Sequence, residues 1–141
     1  MAAFNKFQDF IEQLGKGVHH LHAAGDTLKV FLTNEQPLAT DTQKSDMVEI
    51  SAGNGYTAGG EDSQNDYTES GGTGTMTAVD ITWTASGGTI GPFRFAVLYN
   101  DSATSPADAL VGWWDYNSNL TLQDGEQFKW DVGTSVLTIG P

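Results

Sequence analysis

Residues 93–99 read Phe-Arg-Phe-Ala-Val-Leu-Tyr, and residues 109–116 read Ala-Leu-Val-Gly-Trp-Trp-Asp-Tyr. The first stretch is apolar on both of its alternating faces apart from Arg94, which predicts a central strand that is covered on both sides. The second stretch predicts another strand, and Gly112 within it suggests a bulge. Residues 100–106 between them are typical of a turn or loop. Together the two stretches predict a mainly β fold.

Shorter strand patterns lie on both sides of this pair. Residues 28–33 and 79–84 alternate with a period of two, residues 119–122 form a short apolar run, and Asp124-Gly125 is a strong turn signal. Residues 127–132 and 135–139 then predict a C-terminal hairpin. About seven short strands separated by frequent turns are typical of a β-sandwich or barrel, and we expect one domain over residues 1–141.

The N-terminal segment has a different periodicity, which predicts a helix over residues 4–14. Its apolar residues recur at spacings of three and four: Phe4, Phe7, Phe10, Ile11 and Leu14. Gly15 and Gly17 predict the end of the helix, and the connector continues to residue 22. The apolar stripe either packs on its own domain or docks as an arm on a neighbouring subunit. We expect the first, because an exposed stripe of three Phe residues would invite aggregation.

Residues 51–74 are rich in glycine and acidic residues. Because few of their side chains can fill a core, we predict a long loop or a pair of loops here. Such a loop is expected to be mobile in the free protein and to become ordered on contact with a neighbour. Tyr56 within it is a candidate interface residue.

The net charge is −12, from 18 acidic and 6 basic residues. This balance argues against nucleic acid and anionic membranes as partners, because both require basic residues. It favours docking onto a surface with basic patches. The absence of cysteine excludes disulfides and thiol chemistry. The N-terminus lacks the order of a signal peptide, and no stretch approaches the length of a membrane span, so we expect synthesis inside a cell.

The sequence contains no motif that predicts catalysis. Of the histidines at 19, 20 and 22, only His20 and His22 would share a face on a strand, and a polar connector is the simpler interpretation. Asp115, beside Trp113 and Trp114, is the best candidate for a sugar-cleaving carboxylate, but it lacks a partner pattern. We therefore predict a protein that is not an enzyme, with no cofactor, no metal and no catalytic residue.

The aromatic residues are the best candidates for binding. Trp113 and Trp114 are adjacent and would face opposite sides of a strand. Either both are buried in a two-sided core, or one points outward as an anchor for a protein or a sugar. The candidate protein-interface residues are Phe4, Phe7, Phe10, Tyr56, Trp113 and Trp114.

Several segments occur in an order that resembles a known family. They are the aromatic N-terminal segment, 26–34, 49–50, 53–60, 91–101, 110–116 and 122–128. In this order they resemble small virion structural proteins of tailed bacteriophages, and are similar to the cement or decoration proteins on the outside of heads with the HK97-type shell. The resemblance covers nearly the whole chain.

The resemblance implies a fold, a partner and a location. The implied fold is a jelly-roll-like antiparallel β-sandwich with a short N-terminal α-helix. The implied partner is the major capsid protein, which the protein would clamp as a homodimer at local two-fold axes. The protein would be made in the cytoplasm of a bacterial host and lie on the outer surface of the capsid in the virion. The alternatives are a tail or fibre component, or a carbohydrate-binding β-sandwich module.

Overall fold

The computed structural model describes residues 2–140 and shows a mainly β protein with one short α-helix near the N-terminus. Its elements are β1 (Phe4–Lys6), α1 (Asp9–Gly15), β2 (Leu28–Thr33), a 3₁₀ turn (Lys44–Asp46), β3 (Glu61–Asp62), β4 (Asp66–Ser70), β5 (Thr73–Thr77), β6 (Ile81–Thr84), β7 (Ile90–Asn100), β8 (Leu110–Leu122), β9 (Gln127–Trp130) and β10 (Leu137–Ile139). The predicted fold class is confirmed.

The first layer is a five-stranded antiparallel sheet in the order β1-β8-β7-β2-β3. The two stretches that predict the fold form its long central hairpin, β7 and β8. The pairing shifts register beside Gly112, where Leu98 pairs with Gly112 and Tyr99 with Leu110. The predicted bulge is therefore present.

The second layer consists of two small antiparallel sheets, β10-β5-β4 and β6-β9. The chain runs from β5 into β6 and from β9 into β10. A hydrogen bond from the Val132 N–H to the Asp80 carboxylate, at 2.9 Å, joins the two connecting segments. The prediction of a hairpin between 127–132 and 135–139 is wrong, because β9 pairs with β6 and β10 pairs with β5.

The main core lies between the layers. Trp114 of β8 meets Trp130 of β9 with ring centroids 5.0 Å apart, and both side chains are buried. A second apolar cluster covers the outer face of the five-stranded sheet and includes Phe7, Phe31 and Tyr99, with Trp113 packed against it. Both faces of the central sheet are thus covered, which explains why β7 is apolar throughout.

The predicted helix over 4–14 is wrong in its first half. Residues Phe4–Lys6 pair with β8, with Phe4 opposite Trp114 and Lys6 opposite Gly112. Gly112 has no side chain, and the ring of Phe4 occupies the space that a Cβ there would need. Sheet hydrogen bonds and this aromatic contact outweigh the helical spacing of the apolar residues, so the helix begins only at Asp9.

The predicted loop over 51–74 is wrong beyond residue 60, because residues 66–70 and 73–77 form the hairpin of β4 and β5. Residues 51–60 form a connection that is held by buried groups. The Tyr56 hydroxyl donates to Glu49 and accepts from the Leu32 N–H, at 2.6 and 3.0 Å. Gly60 lies so close to Val30 that a Cβ would overlap its carbonyl oxygen.

No helix in the described part of the chain is both long and apolar enough to cross a membrane.

Candidate protein interface

The two lateral sides of the sandwich differ. We define the closed side as β3, β4 and residues 63–65 that connect them. Here the chain passes directly from the edge of one layer to the edge of the other. The Asn65 side chain accepts from the Leu28 N–H and donates to the carbonyls of Leu21 and Asp26, and the Ser63 hydroxyl donates to the Leu28 carbonyl. Hydrogen bonds therefore hold residues 63–65, through which the chain passes between the layers, to β2 and to the segment that precedes it.

On the opposite side, the two edge strands β1 and β10 are far apart in the sequence, so no short connection links them directly. We define the open side as the edge strands β1 and β10 together with α1. A groove of about 530 Å³ lies between these elements. Its lining side chains are mostly apolar, with Lys6 and Thr138 as the exceptions: Phe4, Lys6, Phe10, Ile11, Leu137, Thr138 and Ile139. Both bordering strands lie at a sheet edge, so each has one side without a strand partner.

Local sequence explains the shape of the groove. α1 is only seven residues long, with Asp9 and Glu12 in its first turn, and it ends at Gly15. Phe10 points into the main core and is 1% exposed, whereas Ile11, the next residue, is 51% exposed. Phe10 therefore forms the floor of the groove and belongs to the core, whereas Ile11 presents an apolar surface to solvent.

The charges also differ between the sides. On the closed side, both edge strands carry carboxylates: Glu61, Asp62, Asp66 and Glu69. The strands β1 and β10 on the open side carry none. Inward or edge charges prevent strands from pairing with other chains. The closed side thus has this protection from carboxylates, whereas the edge strands of the open side carry a single charge, that of Lys6.

Lys6 is distinctive among the basic residues. Five of the six Lys and Arg side chains form ion pairs, with nitrogen–oxygen distances of 2.8–3.3 Å: Lys16, Lys29, Lys44, Arg94 and Lys129. Within residues 2–140, Lys6 has no recorded ion pair. It lies at the groove and is exposed. The groove therefore combines apolar walls with one cation that is free to bind a carboxylate.

The pKa shifts near the two sides have structural causes, which are hydrogen bonds for Asp26 and Asp66 and burial for His19. Backbone N–H groups of Tyr67 and Ala23 hold the pKa of Asp66 below its usual range. Burial tends to raise the pKa of Asp26, but hydrogen bonds from Asn100 and His20 outweigh it, and the pKa is lowered. Burial lowers the pKa of His19 to about 4. None of these groups lies in the groove, so their pKa shifts result from the packing of the fold and not from the groove.

The structure corrects the interface prediction for four of the six residues. Phe7, Phe10, Tyr56 and Trp114 are at most 3% exposed. They pack inside the chain, so they are not available to a partner while this fold is intact. The interpretation of the N-terminal stripe as packed on its own domain fits this burial, with Phe7 in the outer cluster and Phe10 in the main core.

The other two predicted residues are half-buried. Phe4 packs on Trp114 and lines the groove. Trp113 lies on the opposite face of β8, where its ring is 4.6 Å from the ring of Phe7. Asp115 forms a bidentate pair with Arg94, at 2.8 and 3.0 Å. A carboxylate held in this way fits a structural role better than sugar cleavage.

The three histidines follow α1 in the segment that crosses toward β2. His19 is buried, and its Nδ1 lies 3.1 Å from the amide nitrogen of Asn100. His20 and His22 are exposed. Among residues 2–140, no three His, Asp or Glu side chains are grouped so that they could hold a metal ion.

The sequence arguments did not identify Lys6, Ile11, Leu137 and Ile139 as a group. The residues come from the two ends of the chain, and only the pairing of β1 with β8 and of β10 with β5 places them around one groove.

Comparison with known proteins gives no match. No protein-family model matches the chain, and neither a curated protein nor a solved structure does so.

Proposed function

We propose that this protein is a virion structural protein that decorates and reinforces a bacteriophage capsid by binding major capsid subunits. The observation that carries the proposal is the open side: an apolar groove between two strand edges that carry no carboxylate, opposite a side whose edge strands carry four. Exposed features of this kind are typical of protein-binding surfaces. The motif order described above supplies the class of partner.

The charge of the chain supports the same partner. The net charge is −12, and most of the basic side chains are already neutralised in ion pairs. A protein with this field associates fastest with a positively charged surface. On a shell with many identical sites, modest contacts add up to stable coating.

The experiment is to prepare HK97-type phage heads with and without this protein and to image both by cryo-EM. We expect additional density on the outer surface of the head and a higher temperature of DNA release from coated particles. Density only on the tail or fibres would replace the proposal with the alternative location. Particles that never bind the protein would overturn it.

We also propose that the protein forms a homodimer on the shell. Two apolar side chains that do not line the groove, Leu38 and Val48, are 58% and 73% exposed. A symmetric contact between two copies would cover such residues. Light scattering and cryo-EM together test the dimer, and isolated single copies in both settings would contradict it.

The carbohydrate-binding alternative gains no support from the tryptophans. Trp114 is buried between the layers, and Trp113 is half-buried against Phe7. A stacking platform requires an open ring face. Tryptophan fluorescence during titration with glycans would reveal such binding if it occurred.

A further inference from the structure

The open side has the two components of a strand-binding site. The first is backbone. β10 is an edge strand, and residues 137–140 all line the groove, which gives roughly 10 Å of strand edge at about 3.3 Å per residue. The N–H and C=O groups along a free edge pair readily with another extended chain. An added strand of three or four residues fits this length.

The second component is a set of apolar contacts for alternate side chains. Phe4, Ile11 and Ile139 line the groove from three different elements, and Phe10 closes it from below. In strand addition, backbone hydrogen bonds supply affinity and pockets for alternate side chains supply specificity. A groove that is apolar but bordered by strand edges suits this mode of binding.

The charges of Lys6 and of the whole protein limit which extended chains could bind in the groove. Lys6 lines the groove without a recorded ion pair in the described part of the protein, so a carboxylate on the bound segment would satisfy it. The net charge of −12 favours a partner whose remaining surface is positive. A second copy of this acidic chain is therefore a poor occupant of the groove.

We infer that the open side binds an extended segment of a partner protein as an added β-strand, between β1 and β10. The segment carries apolar side chains at alternate positions and a carboxylate that reaches Lys6, and it extends from a protein with a positively charged surface. The identity of that protein as a capsid subunit rests on the proposed function, whereas the mode of binding does not.

The first test measures binding of variants to phage heads that lack the protein, by co-sedimentation. Ile11→Asp and Lys6→Glu place negative charge at the groove, and we expect each to weaken binding at least tenfold. Val79→Asp is the matched control, because Val79 has the same exposure as Ile11, 51%, and lies next to the closed side, where its N–H donates to Ser63. Lys16→Glu is the charge-matched control for Lys6→Glu.

Hydrogen exchange on the same complexes locates the contact. We expect slower exchange of the amides of β1 and β10 in the bound protein and no change in β3 and β4. If the heads bind all variants equally, or if protection appears on the closed side, the inference about the groove is overturned while the proposed function stands.

A second test does not depend on phage heads. The probe is a synthetic eight-residue peptide of alternating valine and threonine that ends in aspartate, titrated into the free protein and followed by NMR. We expect amide shifts confined to β1, α1 and β10, and their loss in Ile11→Asp. No shifts, or shifts at β3 and β4, would overturn the inference. A dimer of the free protein that dissociates in Ile11→Asp would show that a second copy fills the groove, which also overturns it.

Discussion

The two sides of the sandwich solve the problem of exposed strand edges in different ways. On the closed side, residues 63–65 carry the chain from one layer to the other and are held to β2 by buried hydrogen bonds, and the edge strands β3 and β4 carry carboxylates. On the open side, β1 and β10 border an apolar groove with no carboxylate on either strand. The same chain thus places four carboxylates on one pair of edges and a single lysine on the other. We interpret the closed side as the side that stabilises the fold and the open side as the side that binds a partner.

On the open side, neighbouring residues also have different roles: one stabilises the fold and the next faces a partner. Phe10 and Ile11 are neighbours on α1, but one belongs to the core and the other to the surface of the groove. A side chain that binds a partner has little influence on the free protein, whereas its neighbour is required for folding. The predictions below test this division, in order of decreasing effect.

The largest effect is expected for Phe10→Ala. Phe10 is 1% exposed, and replacing a buried Phe by Ala costs about 3–5 kcal/mol because it removes apolar contacts and leaves a cavity. The melting temperature should fall by roughly 10 °C or more. Ile11→Ala is the control and should change the free energy of unfolding by less than about 0.5 kcal/mol. Thermal melts of the two free variants measure these losses of stability and test the expected difference between them. Equal losses would show that Ile11 belongs to the core and that the groove is not a surface.

The second-largest effect is a loss of folding stability at low pH, caused by a histidine in the segment that crosses from the open to the closed side. Burial lowers the pKa of His19 from its ordinary 6.5 to about 4, although Asp26 and Asp9 act in the opposite direction. Between these two pH values the unfolded chain binds a proton that the folded chain does not. Folding stability should therefore fall as the pH drops below about 6.5, by about 3 kcal/mol in total at pH 4.

His19→Leu tests this effect because leucine is apolar and does not titrate. The variant should lose much less stability than the wild type between pH 7 and pH 4, as measured by urea denaturation. The pKa values of carboxylates such as Asp26 and Asp66 are lowered in the folded protein. The folding stability that these groups contribute is therefore lost only as the pH falls below about 4. The same pH dependence in both proteins would mean that His19 is not buried in its neutral form.

The third effect is expected for Tyr56→Phe, in the connection that leads to the closed side. The substitution leaves the buried N–H of Leu32 without its acceptor, which costs about 1–3 kcal/mol. It also removes the bond to Glu49, so residues 51–60 should be cut faster in limited proteolysis. Tyr116→Phe is the control, because within the described residues its hydroxyl has no recorded hydrogen bond. Unchanged stability and cleavage would show that this connection is not held by Tyr56.

The sequence predicts the centre of this fold better than its edges. The sequence predicts β2 from a period-two pattern and predicts β7 and β8 from apolar runs, because each is long or apolar enough to specify its own conformation. The sequence does not predict β1 as a strand, because Phe4, Phe7 and Phe10 have a helical spacing. Only the contact with Trp114 and Gly112 of β8 makes this segment extended. The predicted loop over 51–74 is wrong beyond residue 60 because the pairing of β4 with β5, which no local pattern reveals, forms a hairpin there.

The candidate site is even less accessible to sequence arguments. A groove between β1 and β10 depends on which strands end up at the edges, and that is a property of topology. Large aromatic residues attract attention as binding anchors, yet Trp114 and Tyr56 fill the core. The side chains that remain at the surface are smaller, such as Ile11 and Ile139.

The smallest effect on stability, but a clear one on association, is expected from neutralising the closed side. The edge variant replaces four carboxylates by amides of the same shape: Glu61→Gln, Asp62→Asn, Asp66→Asn and Glu69→Gln. The net charge changes from −12 to −8. Amide oxygens still accept the backbone hydrogen bonds that Asp62, Asp66 and Glu69 receive, so the fold should persist.

If these charges keep β3 and β4 from pairing with other chains, the edge variant should self-associate as its concentration rises, as measured by light scattering. A control variant with the same net charge neutralises four carboxylates outside the strands: Glu35→Gln, Asp41→Asn, Asp124→Asn and Asp131→Asn. It should keep the association state of the wild type, because the strand edges retain their charges. Equal association of both variants would attribute solubility to net charge alone. The closed side would then owe its closure to the hydrogen bonds of residues 63–65, and the charge difference between the two sides would carry no information about binding.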